Sequence, residues 1–174
     1  MQRTGFTLIE LMVTISIAAI LITIAIPSLQ GIVSENRITT QTNELITDLM
    51  VAKSEAVRRG VRVSVCISNA TASTAASDCN SAGAWADGWI AFTDLNGSGA
   101  VDTGETILKV HEALPVGMTL TTTFATPAVL TYLPSGSVSA TGKFTVCRSG
   151  YLGRDIAIST TGRTATTKTT AVCT

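Results

Sequence analysis

With 174 residues, the chain has room for one domain beyond a terminal segment. Charged residues make up 14% of it and apolar residues 45%, a balance that excludes an intrinsically disordered chain. The formal net charge is zero, so the molecule as a whole has no electrostatic attraction for nucleic acid.

The chain opens on a short polar head, Met1 to Gly5, with one arginine, Arg3. An apolar run then extends from Phe6 to Ile26 and stops at Pro27. About twenty helical residues rise roughly 30 Å, the thickness of a bilayer core, so the run predicts a transmembrane helix. Glu10 sits inside it, and an ionisable group there is costly enough to mark a function. A secretory signal puts its small-residue cleavage site after the apolar core. Here Gly5 precedes that core, so a cut after it leaves the helix on the mature chain. Cleavage would create a cationic amine at Phe6, one helical turn from Glu10. A carboxylate in an apolar bundle is tolerable when paired with a cation. Pro27 lacks an amide donor and Gly31 loosens the backbone one turn later. The two predict either local unwinding between Ile20 and Pro27 or a kink where the helix leaves the membrane. Arg3 and the initiator amine favour a cytoplasmic head, with everything after Pro27 outside.

From Ser28 to Arg59 the pattern turns amphipathic. Leu45, Leu49, Ala52 and Ala56 form a stripe at three-to-four spacing, widened by Ile46, Met50 and Val57. Glu35, Arg37, Gln41, Glu44, Asp48 and Glu55 fall mostly on other faces. Arg58, Arg59 and Gly60 read as a helix C-terminus. One long helix from Phe6 to Arg59 is therefore predicted. Strands follow. Val61, Val63, Val65 and Ile67 alternate with polar residues or Cys66, as in a half-buried strand. Further strands are predicted at 89–92, 106–110, 118–123, 130–133, 143–148 and 154–159, and the threonine-rich 119–123 suits a sheet edge. The architecture is α+β, a long N-terminal helix packed on an antiparallel β-sheet domain.

Four cysteines and a single histidine, with no C-x-x-C pair, argue against zinc and for an oxidising compartment. Three pairings are possible. Cys66–Cys79 with Cys147–Cys173 is favoured, because sequence neighbours close small loops and the second bridge would pin a loose tail. The charges are uneven: Asp78, Asp87, Asp94, Asp102, Glu105 and Glu112 make the middle acidic, whereas Lys143, Arg148, Arg154, Arg163 and Lys168 make the C-terminal part basic. Two solvated faces or docking to complementary neighbours would both produce this. Asp94, Asn96, Ser98, Ala100, Asp102 and Glu105 match the ligand spacing of an EF-hand calcium loop, with Gly99 at the sharp turn. Strand-like flanks make a polar hairpin loop the competing reading. Trp85 and Trp89 read as core or loop anchors. His111 has no nucleophile partner in a usable motif, and no phosphate-cradling or hydrolase motif is present.

Gly5-Phe6-Thr7-Leu8-Ile9-Glu10-Leu11 resembles the prepilin-peptidase site of type IV pilins and type II secretion pseudopilins. Several later pieces extend the likeness over essentially the whole chain: Asn43 to Ala56 leading into Val61 to Cys66, Trp85 to Trp89, the 94–105 loop, Phe144 to Cys147 and Ser159 to Arg163. Their order resembles the FimT/GspH group of minor pilins and pseudopilins. The resemblance implies cleavage after Gly5, N-methylation of Phe6, an assembly role for Glu10, and a helix-interrupting role for Pro27. It divides the chain into a leader (1–5), a transmembrane and assembly helix (6–27), the amphipathic second half of that helix (28–60) and a β-rich globular domain (61–174). It implies a minor pilin that helps initiate or cap a filament. No cofactor is expected, apart from calcium if the 94–105 loop binds it. Its partners would be other pilins, prepilin peptidase, the inner-membrane assembly machinery and membrane lipid. Before assembly it would span the inner membrane once, its C-terminal domain in the periplasm. A type II secretion pseudopilin and a DNA-binding competence pilin are the alternatives, and a membrane-anchored enzyme is a distant one. Some members of the group bind DNA through a Gly-Arg-x-Arg tail. Gly162-Arg163-Thr164-Ala165 keeps only the first arginine, with Arg154 and Lys168 as further cations.

Overall fold

The computed structural model describes residues 7–68 and 78–173, and only the backbone over 24–29. One helix, α1 (Leu8–Arg59), precedes eight strands: β1 (Val63–Ile67), β2 (Trp89–Thr93), β3 (Ile107–His111), β4 (Met118–Thr122), β5 (Val129–Tyr132), β6 (Gly142–Arg148), β7 (Leu152–Ile158) and β8 (Thr164–Val172). The chain divides into two compact units, Met1–Asn36 and Arg37–Thr174.

In the first unit α1 continues unbroken through Pro27, so the unwinding expected between Ile20 and Pro27 is not present in this chain by itself. A proline removes one hydrogen bond, and the backbone bonds on either side hold the helix. Among the described residues, no helix is long and apolar enough to cross a membrane. The span expected over residues 6–26 falls partly outside them.

In the second unit α1 ends as its sequence dictates. Gly60 takes φ 68°, and its N–H donates to the Ala56 carbonyl at 3.0 Å. Arg58 and Arg59 both grip Glu55 and hold its carboxyl down to about 2. The eight strands form two antiparallel sheets, ordered β3-β2-β1-β5 and β4-β6-β7-β8. Leu45, Leu49, Ala52 and Ala56 are buried against both. Met50 and Val57, expected to widen that stripe, are 59% and 53% exposed. Phe144 fills the centre, edge-on to Trp85 and Phe124, each 4.9 Å away.

Three local expectations need correction. Strand β1 is buried at every position rather than half-buried. Its second face carries a smaller apolar cluster of Cys66, Ile90 and Phe92, with Cys79, Val101, Ile107 and Val129 packed on it. The polar Ser64 is tolerated there because its hydroxyl donates to Asp94 Oδ2 at 2.6 Å and meets the Thr131 hydroxyl at 2.7 Å. Asp48, assigned to a solvent face, is 2% exposed. The tail after Arg163, expected to be held by its bridge alone, also forms the nine-residue strand β8, antiparallel to β7. Its threonines favour extended backbone but carry no apolar alternation, which is why the strand pattern is silent.

The bridges join Cys66 to Cys79 and Cys147 to Cys173. The second ties the end of β8 to β6 across Gly153. A Cβ on Gly153 would fall 2.8 Å from Cys147 Sγ and 2.9 Å from Cys173 Sγ. Replacing both Cys147 and Cys173 by serine should cost about 3 kcal/mol, the chain-entropy value for a loop of this order. Gly153→Ala should cost about 1–3 kcal/mol through overpacking. Urea denaturation checks both, and hydrogen exchange should show β8 losing protection first in the serine variant. A Gly153→Ala protein as stable as the parent would show that the bridge shifts without penalty.

Candidate assembly interfaces

Gly5 and Phe6 lie outside the described residues. The helix start next to them is closed by a capping box. The Thr7 N–H and hydroxyl both donate to Glu10 Oε2, at 2.9 and 2.8 Å, and the Glu10 N–H donates to Thr7 Oγ1 at 3.3 Å. From Leu8 to Ile22 the helix is mostly apolar and unshielded in the single chain, with Leu8, Ile9, Ile15, Ile20 and Leu21 all at least 60% exposed. An apolar helix surface of this kind is suited to lipid or to a bundle of its own kind.

In the second unit, the loop between β2 and β3 gathers all six residues of the calcium-like pattern, with their oxygens turned inward on the loop itself. Buried Asp94 accepts the Gly97 N–H at 2.7 Å on Oδ1, and the Gly99 N–H at 3.2 Å with the Ser64 hydroxyl on Oδ2. Asp102 Oδ2 accepts from Ser98 Oγ at 2.7 Å and Asn96 Nδ2 at 2.9 Å, which hold its carboxyl below the ordinary aspartate range. Glu105 accepts the Leu95 N–H at 2.8 Å and the Asp102 N–H at 2.9 Å. The Ser98 hydroxyl also meets the Ala100 carbonyl at 3.1 Å. Among the described residues, no group of three or more His, Cys, Asp or Glu side chains is placed to hold a metal ion. Asp78 and Asp87 likewise serve nearby backbone N–H groups, so much of the acidic middle is local turn chemistry.

A groove of about 600 Å³ runs between α1 and β3, walled by Gln41, Glu44, Thr47 and Asp48 on one side and by Lys109, His111, Glu112 and Pro115 on the other. Its floor is a polar network on a buried indole. Trp89 Nε1 donates to Asp48 Oδ2 at 3.1 Å, and Lys109 lies 3.7 Å from Asp48 Oδ1. The His111 ring stacks on Trp89 with centroids 3.8 Å apart and planes 11° apart. Its Nδ1 meets the Glu112 carbonyl at 2.8 Å and its Nε2 meets Glu44 Oε2 at 3.3 Å. Burial pushes the Asp48 carboxyl up from the ordinary aspartate range, against the opposing pull of Lys109 and Trp89. Sequence reading missed this network. The available signal was spacing: Asp48 stands three residues after Leu45 and four before Ala52, on the buried stripe itself.

The structure brings the candidate DNA-contacting cations together only in part. Arg154 and Lys168 are direct cross-strand partners between β7 and β8. Arg163 stands exposed in the β7–β8 turn, next to Gly162, whose φ of 67° and packing on Tyr132 and the Gly136 carbonyl explain that glycine structurally. Lys143 is paired with Asp155 at 2.7 Å.

A long helix behind a processing motif, with its C-terminal half on two antiparallel sheets, defines a structural subunit of the pilin and pseudopilin class. The family model described as Type II transport protein GspH matches residues 41–162, and that of the prokaryotic N-terminal methylation motif matches residues 1–26. The chain belongs to the GspH family of minor pilins and pseudopilins. Its fold is similar to that of the type IV minor pilin FimU of Pseudomonas aeruginosa, with TM-score 0.57 and 23% identity over 76% of this chain and 89% of that one. It is also similar to that of the minor pseudopilin EpsH from the type 2 secretion system of Vibrio cholerae, with TM-score 0.54 and 14% identity over 76% and 97%. No curated protein matches the chain.

Asp48→Ala should cost about 1–3 kcal/mol, because it leaves the buried Trp89 N–H without an acceptor. Asp48→Asn keeps an acceptor and removes the buried charge. Because the folded chain holds the Asp48 proton to higher pH than the unfolded chain, this group costs stability as pH rises from its ordinary value of 3.8 through its raised one. The stability of the Asn variant relative to the parent should therefore improve from about pH 4 to about pH 7. Denaturation across that range measures the difference, and a difference independent of pH would remove Asp48 as the cause.

Proposed function

We propose that the chain is a minor type IV pilin, cleaved after Gly5 and N-methylated on Phe6, that helps to initiate or cap a filament. The observation that carries this reading is Glu10 on a mostly apolar helical segment, Leu8 to Ile22, that is uncovered in the single chain. Polymerisation is non-covalent. Phe6 to Ile26 packs between subunits, and the new amine of a neighbouring subunit pairs with Glu10, whose Oε2 meanwhile caps its own helix at Thr7. Until then the same segment spans the inner membrane once and leaves the sheets in the periplasm, under the positive-inside tendency. Prepilin peptidase, the assembly machinery, membrane lipid and other pilins are the partners. The role is structural rather than enzymatic.

A second reading, a pseudopilin of type II secretion, is supported by the GspH family match and the likeness to EpsH. Deletion of the chain with separate assays of piliation, secretion and transformation divides the readings. Loss of transformation alone would favour the competence pilin, for which the facing Arg154 and Lys168 are the support.

Glu10→Ala should leave cleavage intact and reduce recovery in sheared filaments by about tenfold or more, since it removes the cation's partner. Gly5→Leu should block maturation altogether. Immunoblots of cell and filament fractions measure both, and normal filament incorporation of the Glu10 variant would contradict the pairing.

Calcium at the β2–β3 loop is a separate proposal, supported by the ligand spacing. Asp94, Asn96, Ser98, Asp102, Glu105 and the Ala100 carbonyl would turn from their internal hydrogen bonds to the ion. On that proposal calcium raises the melting temperature and a chelator lowers it, while Asp102→Ala abolishes the response. Identical melting with calcium and with chelator would end it.

A further inference from the structure

We propose that the open edge of β8 takes up, as an added strand, an acidic extended segment of a different subunit. Strand β8 ends its sheet, so one side of its backbone has no neighbouring strand there. It is the longest of the eight strands, with nine residues and no acid among them. Such an edge offers a row of unpaired N–H and C=O groups to another strand.

Three cations stand beside that edge on one face of the sheet. Residues directly opposite each other on paired strands point to the same side. Val146 is opposite Arg154, and Arg154 is opposite Lys168, so both cations share the face on which Val146 is buried. Arg148, two residues beyond Val146, shares that face too, opposite the buried Met118. Like charges placed opposite each other are unfavourable without an outside anion. Among the described residues, none of the three takes part in an ion pair, and Arg148 Nη1 is buried without a hydrogen-bond partner. Lys143, by contrast, is held by Asp155. A lone lysine can serve merely to guard an edge against pairing. Guarding accounts for Lys168 but not for Arg154 and Arg148, which stand one and two strands further in.

These positions define the occupant. An added strand would lie about 5 Å from β8 and about 10 Å from β7. Carboxylates at its alternate positions would meet Lys168 directly and Arg154 across it, while Arg148 adds to the positive potential. A second copy cannot supply such a strand. Among the eight strands only β7 has an acid, Asp155, already paired with Lys143. A contact with a different chain stops there instead of propagating, as an initiating or capping subunit requires. Nucleic acid fits less well, since β8 has no aromatic for base stacking and Tyr151, just before β7, packs against the core. This inference rests on the minor-pilin reading and specifies the chemistry of a neighbour.

The probe is a synthetic peptide as long as β8, with glutamate alternating with valine, fluorescently labelled and titrated into full-length protein in detergent. Anisotropy should show binding that weakens about tenfold or more when glutamine replaces the glutamates, and equally when alternate backbone nitrogens are methylated. Arg154→Gln with Lys168→Gln should cause the same loss for the glutamate peptide and none for the glutamine peptide. A benzophenone on the peptide should crosslink to residues 164–172. The peptide changes are read on the parent protein and need no variant, and circular dichroism melts verify that the double variant folds. In cells, a photo-crosslinking residue in place of the exposed Thr166 should capture an acidic segment of a different pilin, and the double variant should lose that adduct. No binding at about 1 mM peptide, equal binding of the glutamine or methylated peptide, crosslinks elsewhere, capture of a second copy, or tighter binding of a single-stranded oligonucleotide would each overturn the site. Failure here with Glu10→Ala still excluded from filaments would sink the site alone. Normal filament incorporation of the Glu10 variant would sink the assembly reading instead.

Discussion

The globular unit depends on burying one stripe of α1 against two separate sheets at once. Neither four-stranded sheet has a helix of its own, and each needs an apolar cover on one face. Leu45, Leu49, Ala52 and Ala56 supply it to both. The large aromatics Trp85, Trp89 and Phe144 are buried in the same core. Lys53 adds a polar tie, donating to the Thr161 carbonyl at 2.8 Å beyond the edge of the packed face. A helix used this way makes α1 part of the globular core from Ile38 onward.

Polar groups inside this core are organised rather than excluded. Asp48 accepts from the Trp89 indole, and Asp94 gathers two loop N–H groups and a strand hydroxyl. Both aspartates tie a backbone segment to a neighbouring element at positions where an apolar residue would leave donors unmet. The second, smaller core around Cys66 and Phe92 exists because the 94–105 loop and the Cys66–Cys79 bridge pack on the outer face of the sheet containing β1. Much of the acidity in the middle of the chain is thereby consumed in holding turns. Outside these turns, Glu44 and Glu112 are exposed beside β3, and Arg154 faces Lys168 between β7 and β8.

The apolar helix of the first unit and the open sheet edges of the second differ in physical character. The helix offers non-directional burial with one carboxylate as a register mark. Sheet edges carry directional hydrogen-bonding groups.

Periodicity and local chemistry were enough to read α1, its Arg58-Arg59-Gly60 end, seven of the eight strands and the bridge partners, because each is encoded by residues close in sequence or by an alternation that backbone geometry imposes. The processing motif was legible for the same reason: seven consecutive residues carry it. Strand β8 was not, since an exposed edge demands no apolar alternation and its threonines are equally at home in a loop. Nor were the two-faced burial of β1, the Asp48–Trp89–His111 stack or the opposition of Arg154 and Lys168. Each of these joins residues far apart along the chain, at a register that the packing of helix and sheets sets. Local sequence determines which segments are helix, strand or turn. Only closure of the whole unit decides which polar groups end up buried together and which sheet edges stay open, because burial and pairing are properties of neighbours in space.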